Sequence, residues 1–211
     1  MAGEHRSKPR VARQVVVVPN DGAAIQFTGS RPEQGRRPRR IEKDRIPSMA
    51  SRSMTIEQIL AILRETPSRL SVVTGDATET QLHASPHPGE WSAVDVLAHL
   101  RSCGDVWGDA IERIITEDQP TIRAVSPTTW IEATDYRGLQ FGPSLRAFAR
   151  QRARLLRLIG PLAHEGWLRS ATVLGAGKPL DLTVHAYAYR LARHERTHRK
   201  QMEKTVKSIL G

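Results

Sequence analysis

A single cysteine, Cys103, is found in 211 residues. This excludes an internal disulfide and accords with a reducing compartment. Aromatic residues make up only 5%, so a core must be built mainly from aliphatic side chains. No apolar run approaches the roughly 18 residues that a membrane helix needs. The longest candidate near the N-terminus, Val15 to Val18, is too short for the core of a signal peptide. The expectation is a soluble cytoplasmic protein with no membrane partner. Acidic residues are also in deficit, with 22 Asp and Glu against 32 Lys and Arg, a net charge of +10.

That charge is unevenly spread. Residues 1–53 hold 12 Lys/Arg and 5 Asp/Glu, a surplus of seven, whereas residues 54–211 hold 20 and 17, a surplus of three. The basic character therefore belongs to the first quarter. Arg, Pro and Gly recur there (Arg36-Arg37-Pro38-Arg39-Arg40) without apolar periodicity. Such a segment buries too little apolar surface to offset its chain entropy. Residues 1–53 read as a disordered basic tail and 54–211 as the folded domain. A basic arm that touches nucleic acid is the competing reading of the tail, but nucleic acid is not the expected partner.

Order begins at Thr55, which with Gln58 has the form of a capping box. Ile56, Ile59, Leu60, Leu63, Leu70 and Val73 follow at helical spacing. Pro67 predicts a kink or break near Thr66. Residues 74–91, with Gly75, Pro86, Pro88 and Gly89, read as a loop. Ser92 then caps a second helix to about Thr116, with Asp95 in its first turn. His99 lies mid-helix between Val96, Leu100 and Cys103. A long connection over 118–142 contains Trp130 and Tyr136 and is expected to pack across the helices. Pro143 suits the first turn of a third helix, which runs to about Ile159. Arg146, Arg150, Arg154 and Arg157 form an outer basic stripe on it, read as a solvated face. Residues 160–181 read as a second loop, and Asp181 or Thr183 caps a last helix to about Leu210. The fold class is all-α, a four-helix bundle with long inter-helix loops.

On the last helix Tyr187, Leu191, His194, His198, Gln201 and Met202 recur at intervals of three and four and share one face. Two imidazoles one turn apart on a buried stripe are costly unless satisfied, and a metal satisfies both. Imidazole suits zinc, nickel, iron and copper alike, so spacing does not choose among them. A third ligand must come from a neighbour, and His99 holds an inward position in the middle of another helix. Three neutral imidazoles with one open position describe a catalytic site more than a structural one. Against this stand plain core or surface histidines, which isolated H-x-x-x-H spacings more often are. Cys103, one turn from His99, is open to three readings: a fourth ligand, a redox-active thiol, or a small buried hydrophobe. Glu195 completes an H-E-x-x-H string and is the candidate general base. It points about 100° round the helix from His194, which leaves a solvent-facing position as the alternative. His5, His83, His87, His164 and His185 are not assigned to the site.

Two segments carry a family resemblance. Gly89-Glu90-Trp91-Ser92-Ala93-Val94-Asp95-Val96-Leu97-Ala98-His99-Leu100 resembles the W-S-x-x-E-x-L-x-H-L segment of the DinB-like (DinB/YfiT-like) superfamily, with Asp95 where Glu is common. His194-Glu195-Arg196-Thr197-His198-Arg199-Lys200-Gln201 resembles its C-terminal H-x-x-x-H-x-x-Q. The resemblance covers about residues 54–211. It implies a four-helix bundle that is not simply up-down-up-down, and a divalent metal held by three histidines, here His99, His194 and His198, with zinc or nickel expected. It further implies a metal-dependent enzyme acting on a small thiol-linked substrate, as an S-transferase or hydrolase, with a low-molecular-weight thiol as partner and a homodimer among the assemblies allowed. The alternative is a non-catalytic, stress-responsive bundle of a bacterial cell that binds metal or a partner.

Overall fold

The computed structural model describes residues 54–211. The expected tail over residues 1–53 lies outside the described residues. Four long helices form the core: α1 (Ile56–Thr74), α3 (Ala93–Thr116), α5 (Phe141–Ile159) and α7 (Val184–Leu210). Between them lie short helices α2 (Glu79–His83), α4 (Pro127–Glu132) and α6 (His164–Leu168), and strands β1 (Thr121–Arg123), β2 (Ser170–Leu174) and β3 (Leu180–Thr183).

The helix starts follow from local chemistry. Thr55 and Gln58 exchange side-chain and backbone hydrogen bonds at the head of α1, and Ser92 and Asp95 do the same at α3. Each reciprocal box satisfies N–H groups that a helix start leaves without partners. Thr183, and not Asp181, caps α7 by accepting from the Ala186 N–H at 3.0 Å. Asp181 instead accepts from the Thr172 hydroxyl across the sheet.

The break expected at Pro67 does not occur, and α1 runs through it. Proline removes the N–H that the Leu63 carbonyl would have received. Tertiary packing overrides that loss, because Ile59 and Leu63 before the proline and Leu70 after it are fully buried.

All three inter-helix regions contain structure that periodicity did not reveal. The three strands form a sheet ordered β1-β2-β3. β1 lies parallel to β2 with Thr121 opposite Thr172, and β2 lies antiparallel to β3 with Ala171 opposite Leu182. The β2–β3 turn uses Gly175 and Gly177 at φ +88° and +102°, where a side chain would be strained. Arg169 joins the sheet end of the bundle. Its guanidinium donates to the carbonyls of Ile114 and Glu117 at the end of α3, and its own carbonyl accepts from Val184 N–H. The protein remains all-α in its core, with this small sheet as an addition.

The 118–142 connection packs as expected from its aromatics. Asp105 on α3 accepts from Tyr136 Oη at 2.7 Å, Trp130 Nε1 at 3.3 Å and Gln151 Nε2 at 2.7 Å. The Arg101 guanidinium lies 3.7 Å over the Tyr136 ring. Two apolar clusters fill the bundle, one around Ile59, Ile111 and Leu191, the other around Leu70, Leu97, Phe148 and Met202. No described helix is long and apolar enough to cross a membrane.

Candidate metal centre

α3 presents His99 and Cys103 one turn apart, and α7 presents His194 and His198 one turn apart. The helices run antiparallel: His99 meets both α7 histidines, and Cys103, four residues on, meets His194, four residues back. The three imidazoles converge through the same ring atom. His194 Nε2 lies 3.2 Å from His99 Nε2 and 3.1 Å from His198 Nε2. Cys103 Sγ lies 3.7 Å from His99 Nε2 and 3.9 Å from His194 Nε2. His99, Cys103 and His194 form a cluster able to hold a metal ion, with ligand atoms all within 4.8 Å of one another. His198 abuts that cluster through His194.

The rear of the cluster is built to orient it. Gln201 Oε1 accepts from His198 Nδ1–H at 2.7 Å, which leaves the Nε2 of a neutral ring with its lone pair toward His194. Trp91 stacks near His198, with ring centroids 6.1 Å apart, and meets His99 edge-on at 5.1 Å. Trp107 meets His194 edge-on at 5.1 Å. These indoles wall two sides of the cluster with apolar surface.

Burial sets the protonation states. It holds His99 down to about 4, with the charges of His198 and Arg137 adding to the effect. It holds His194 down to about 3, aided by His198 and His99. His198 is lowered by burial as well, opposed by its bond to Gln201. Burial pushes the Cys103 thiol up to about 12. Near neutral pH the site thus holds uncharged imidazoles.

These residues fit a divalent cation. With zinc–nitrogen bonds of about 2.0–2.1 Å, tetrahedral geometry separates two ligating nitrogens by about 3.3–3.4 Å. The observed separations fall just inside that edge. Protons alone satisfy the cluster poorly, because His194 Nε2 has two nitrogen neighbours and can share only one proton.

Glu195, the candidate general base, is placed elsewhere. It is fully buried and ion-paired with the equally buried Arg152 of α5. The solvent-facing alternative is overturned by that burial. It does not line the cavity beside the site, and its carboxylate is committed to Arg152. Sequence reasoning missed Arg152, although it continues the inward series Phe148, Leu155, Ile159 at helical spacing.

A cavity of about 390 Å³ opens beside His198, between the 86–91 loop and the last turns of α7. Trp91, His198, Gln201 and Lys204 line it, with His87 and Glu90 on the loop side. The 118–142 connection supplies none of the lining. Among the unassigned histidines, His83 contacts Glu79 and His185 lies against Trp167, both away from the cluster.

Comparison with known proteins bears on the family and the fold. The family model described as the DinB superfamily matches residues 62–202. A protein of Geobacillus thermodenitrificans named "Putative metal-dependent hydrolase" is 24% identical over 144 residues, 65% of this chain and 78% of its own length. A Geobacillus kaustophilus protein bearing the same designation is 25% identical over 153 residues, 70% of this chain and 82% of its own. The solved structure of YfiT from Bacillus subtilis, described as an unusual four-helix bundle, is similar in fold, with a TM-score of 0.58 at 20% identity. That match covers 72% of this chain and 90% of YfiT.

Proposed function

The chain belongs to the DinB superfamily, and from that premise we propose that it is a metal-dependent enzyme whose divalent cation is held by His99, His194 and His198. The convergence of three Nε2 atoms, at 3.2 and 3.1 Å along the chain of rings, carries the reading. A bound cation supplies a Lewis acid that lowers the pKa of a water or thiol beside it. The chain's own groups do the rest. Gln201 fixes the tautomer and tilt of His198, as outer partners of ligating histidines do. Trp91 keeps bulk water from the imidazoles. The cavity beside His198 has the volume for a small molecule, and Lys204 gives it one cationic wall.

The substrate class we propose is a small thiol-linked molecule, transferred or hydrolysed, with zinc or nickel as the metal. The metal-dependent hydrolase designation of the Geobacillus relatives supports the hydrolytic form. The test is elemental analysis of tag-free protein together with thiol-transfer and hydrolysis assays. About one metal per chain in wild type, with loss of metal and turnover in His198→Ala, is the expected outcome. Full activity in His198→Ala rejects the reading. Metal without turnover on any low-molecular-weight thiol substrate leaves a binding bundle and not an enzyme.

A further inference from the structure

We propose that Cys103 is a fourth protein ligand of this cation, bound as thiolate, so that the resting coordination is three imidazole nitrogens and one sulfur. The inference rests on the metal reading above and goes beyond its three-histidine set. Two facing pairs carry it. His99 and Cys103 are one turn apart on α3, His194 and His198 one turn apart on α7; the ligand atoms of His99, Cys103 and His194 all lie within 4.8 Å of one another, and His198 joins them through His194 at 3.1 Å.

The distances suit a sulfur donor. With zinc–sulfur near 2.3 Å and zinc–nitrogen near 2.0–2.1 Å, a tetrahedral sulfur–nitrogen edge is about 3.5–3.6 Å. The observed edges, 3.7 and 3.9 Å, are longer than the nitrogen–nitrogen edges in the sense that the larger atom requires. Cys103 is fully buried, and that burial disfavours a free thiolate, so the cation itself would have to supply the stabilisation, as metals do for coordinating thiols. As the metal–sulfur bond forms, the thiol proton leaves to solvent, as metal binding to cysteine requires.

The position of Cys103 has a chemical consequence. The cavity is lined by His198 but not by Cys103, so Cys103 would hold the cation from within the bundle while His198 is the ligand that borders the space open to a small molecule. Sulfur ligation also favours zinc and cobalt over magnesium and manganese.

The full chain, loaded with cobalt(II) in thiol-free buffer, tests this. Cys103 is the sole cysteine of the sequence, so any thiolate signal is its own. Wild type is expected to show a near-ultraviolet thiolate-to-cobalt charge-transfer band. Cys103→Ser should lose that band while keeping the visible d–d bands. X-ray absorption on the wild-type zinc form needs no variant and should find one sulfur at about 2.3 Å. Visible d–d bands without charge transfer, or a zinc shell without sulfur, overturn the inference and leave the histidine site standing. Failure of wild type to bind cobalt or zinc removes both.

Discussion

Arg152 and Glu195 form an ion pair at the centre of the bundle, and Glu195 is the chain neighbour of His194. Both side chains are buried, and Arg152 Nη1 and Nη2 and Glu195 Oε2 have no hydrogen-bond partner among the described residues. The guanidinium lies 4.8 Å over the Phe148 ring. Burial raises the Glu195 carboxyl and Arg152 opposes that rise, so each charge depends on the other.

Removing one partner should therefore be far worse than removing both. Arg152→Met is expected to cost about 3–5 kcal/mol, because it strands a buried carboxylate. Arg152→Met with Glu195→Met should recover most of that loss. Urea unfolding of the double variant and of both single variants checks this. A double change that costs the sum of the two single changes would show that the pair is not coupled.

Gln201 should act on metal affinity without touching the metal. Replacing it with Leu removes the acceptor for His198 Nδ1–H at 2.7 Å. Loss of such an outer partner typically weakens binding by about 10–100-fold. Chelator competition measures it, and circular dichroism should show an unchanged helix content. An unaltered affinity would mean that the ring is oriented by packing against Trp91 alone.

The metal-free protein should lose stability as pH falls from 6.5 towards about 4. His99 sits near 4 and His194 near 3 in the folded chain, each below its ordinary 6.5. The unfolded chain therefore binds more protons across that window, so stability is fully present above 6.5 and is lost on acidification. The midpoint of urea unfolding against pH reads this directly. His99→Leu should flatten the profile; a profile as steep as that of wild type would assign the loss to other groups.

Pro67 should be a site of gain. Ala at this position restores an N–H for the Leu63 carbonyl within a helix that is already continuous. An interior proline costs about 3 kcal/mol, of which up to about 1 kcal/mol is returned by its stiffer unfolded chain. Pro67→Ala is expected to stabilise by roughly 2 kcal/mol, read from the shift in thermal midpoint. No shift, or a loss, would place a compensating interaction at the proline ring.

The four long helices were legible because each is announced locally. Thr55, Ser92 and Thr183 mark three starts, and apolar spacing carries each helix onward. His99 and the α7 pair were legible for the same reason, since a 3.6-residue period fixes which side chains share a face. The sheet was not. β1 has three residues and pairs with a strand some fifty positions later, a register that no local window contains. β2 does alternate, with Ala171 and Val173 buried, but five residues ending at a glycine-rich turn also read as loop. Arg152 was missed because its charge argued for the surface, while its position in the helical period placed it inside. Glu195 shows the limit of a motif: H-E-x-x-H fixes the two histidines on one face but leaves the partner of the glutamate to another helix.

Arg169 and the sheet fasten the end of α3 to the beginning of α7. His194 lies roughly 15 Å along α7 from that fastening, ten residues at the helical rise, and Lys204 lies further out still. At the other end Val94 and Leu97 of α3 share an apolar cluster with Met202 and Val206 of α7. The two helices are thus pinned both before and after the histidines, so the spacing of the imidazoles is set by the frame and not by the side chains alone.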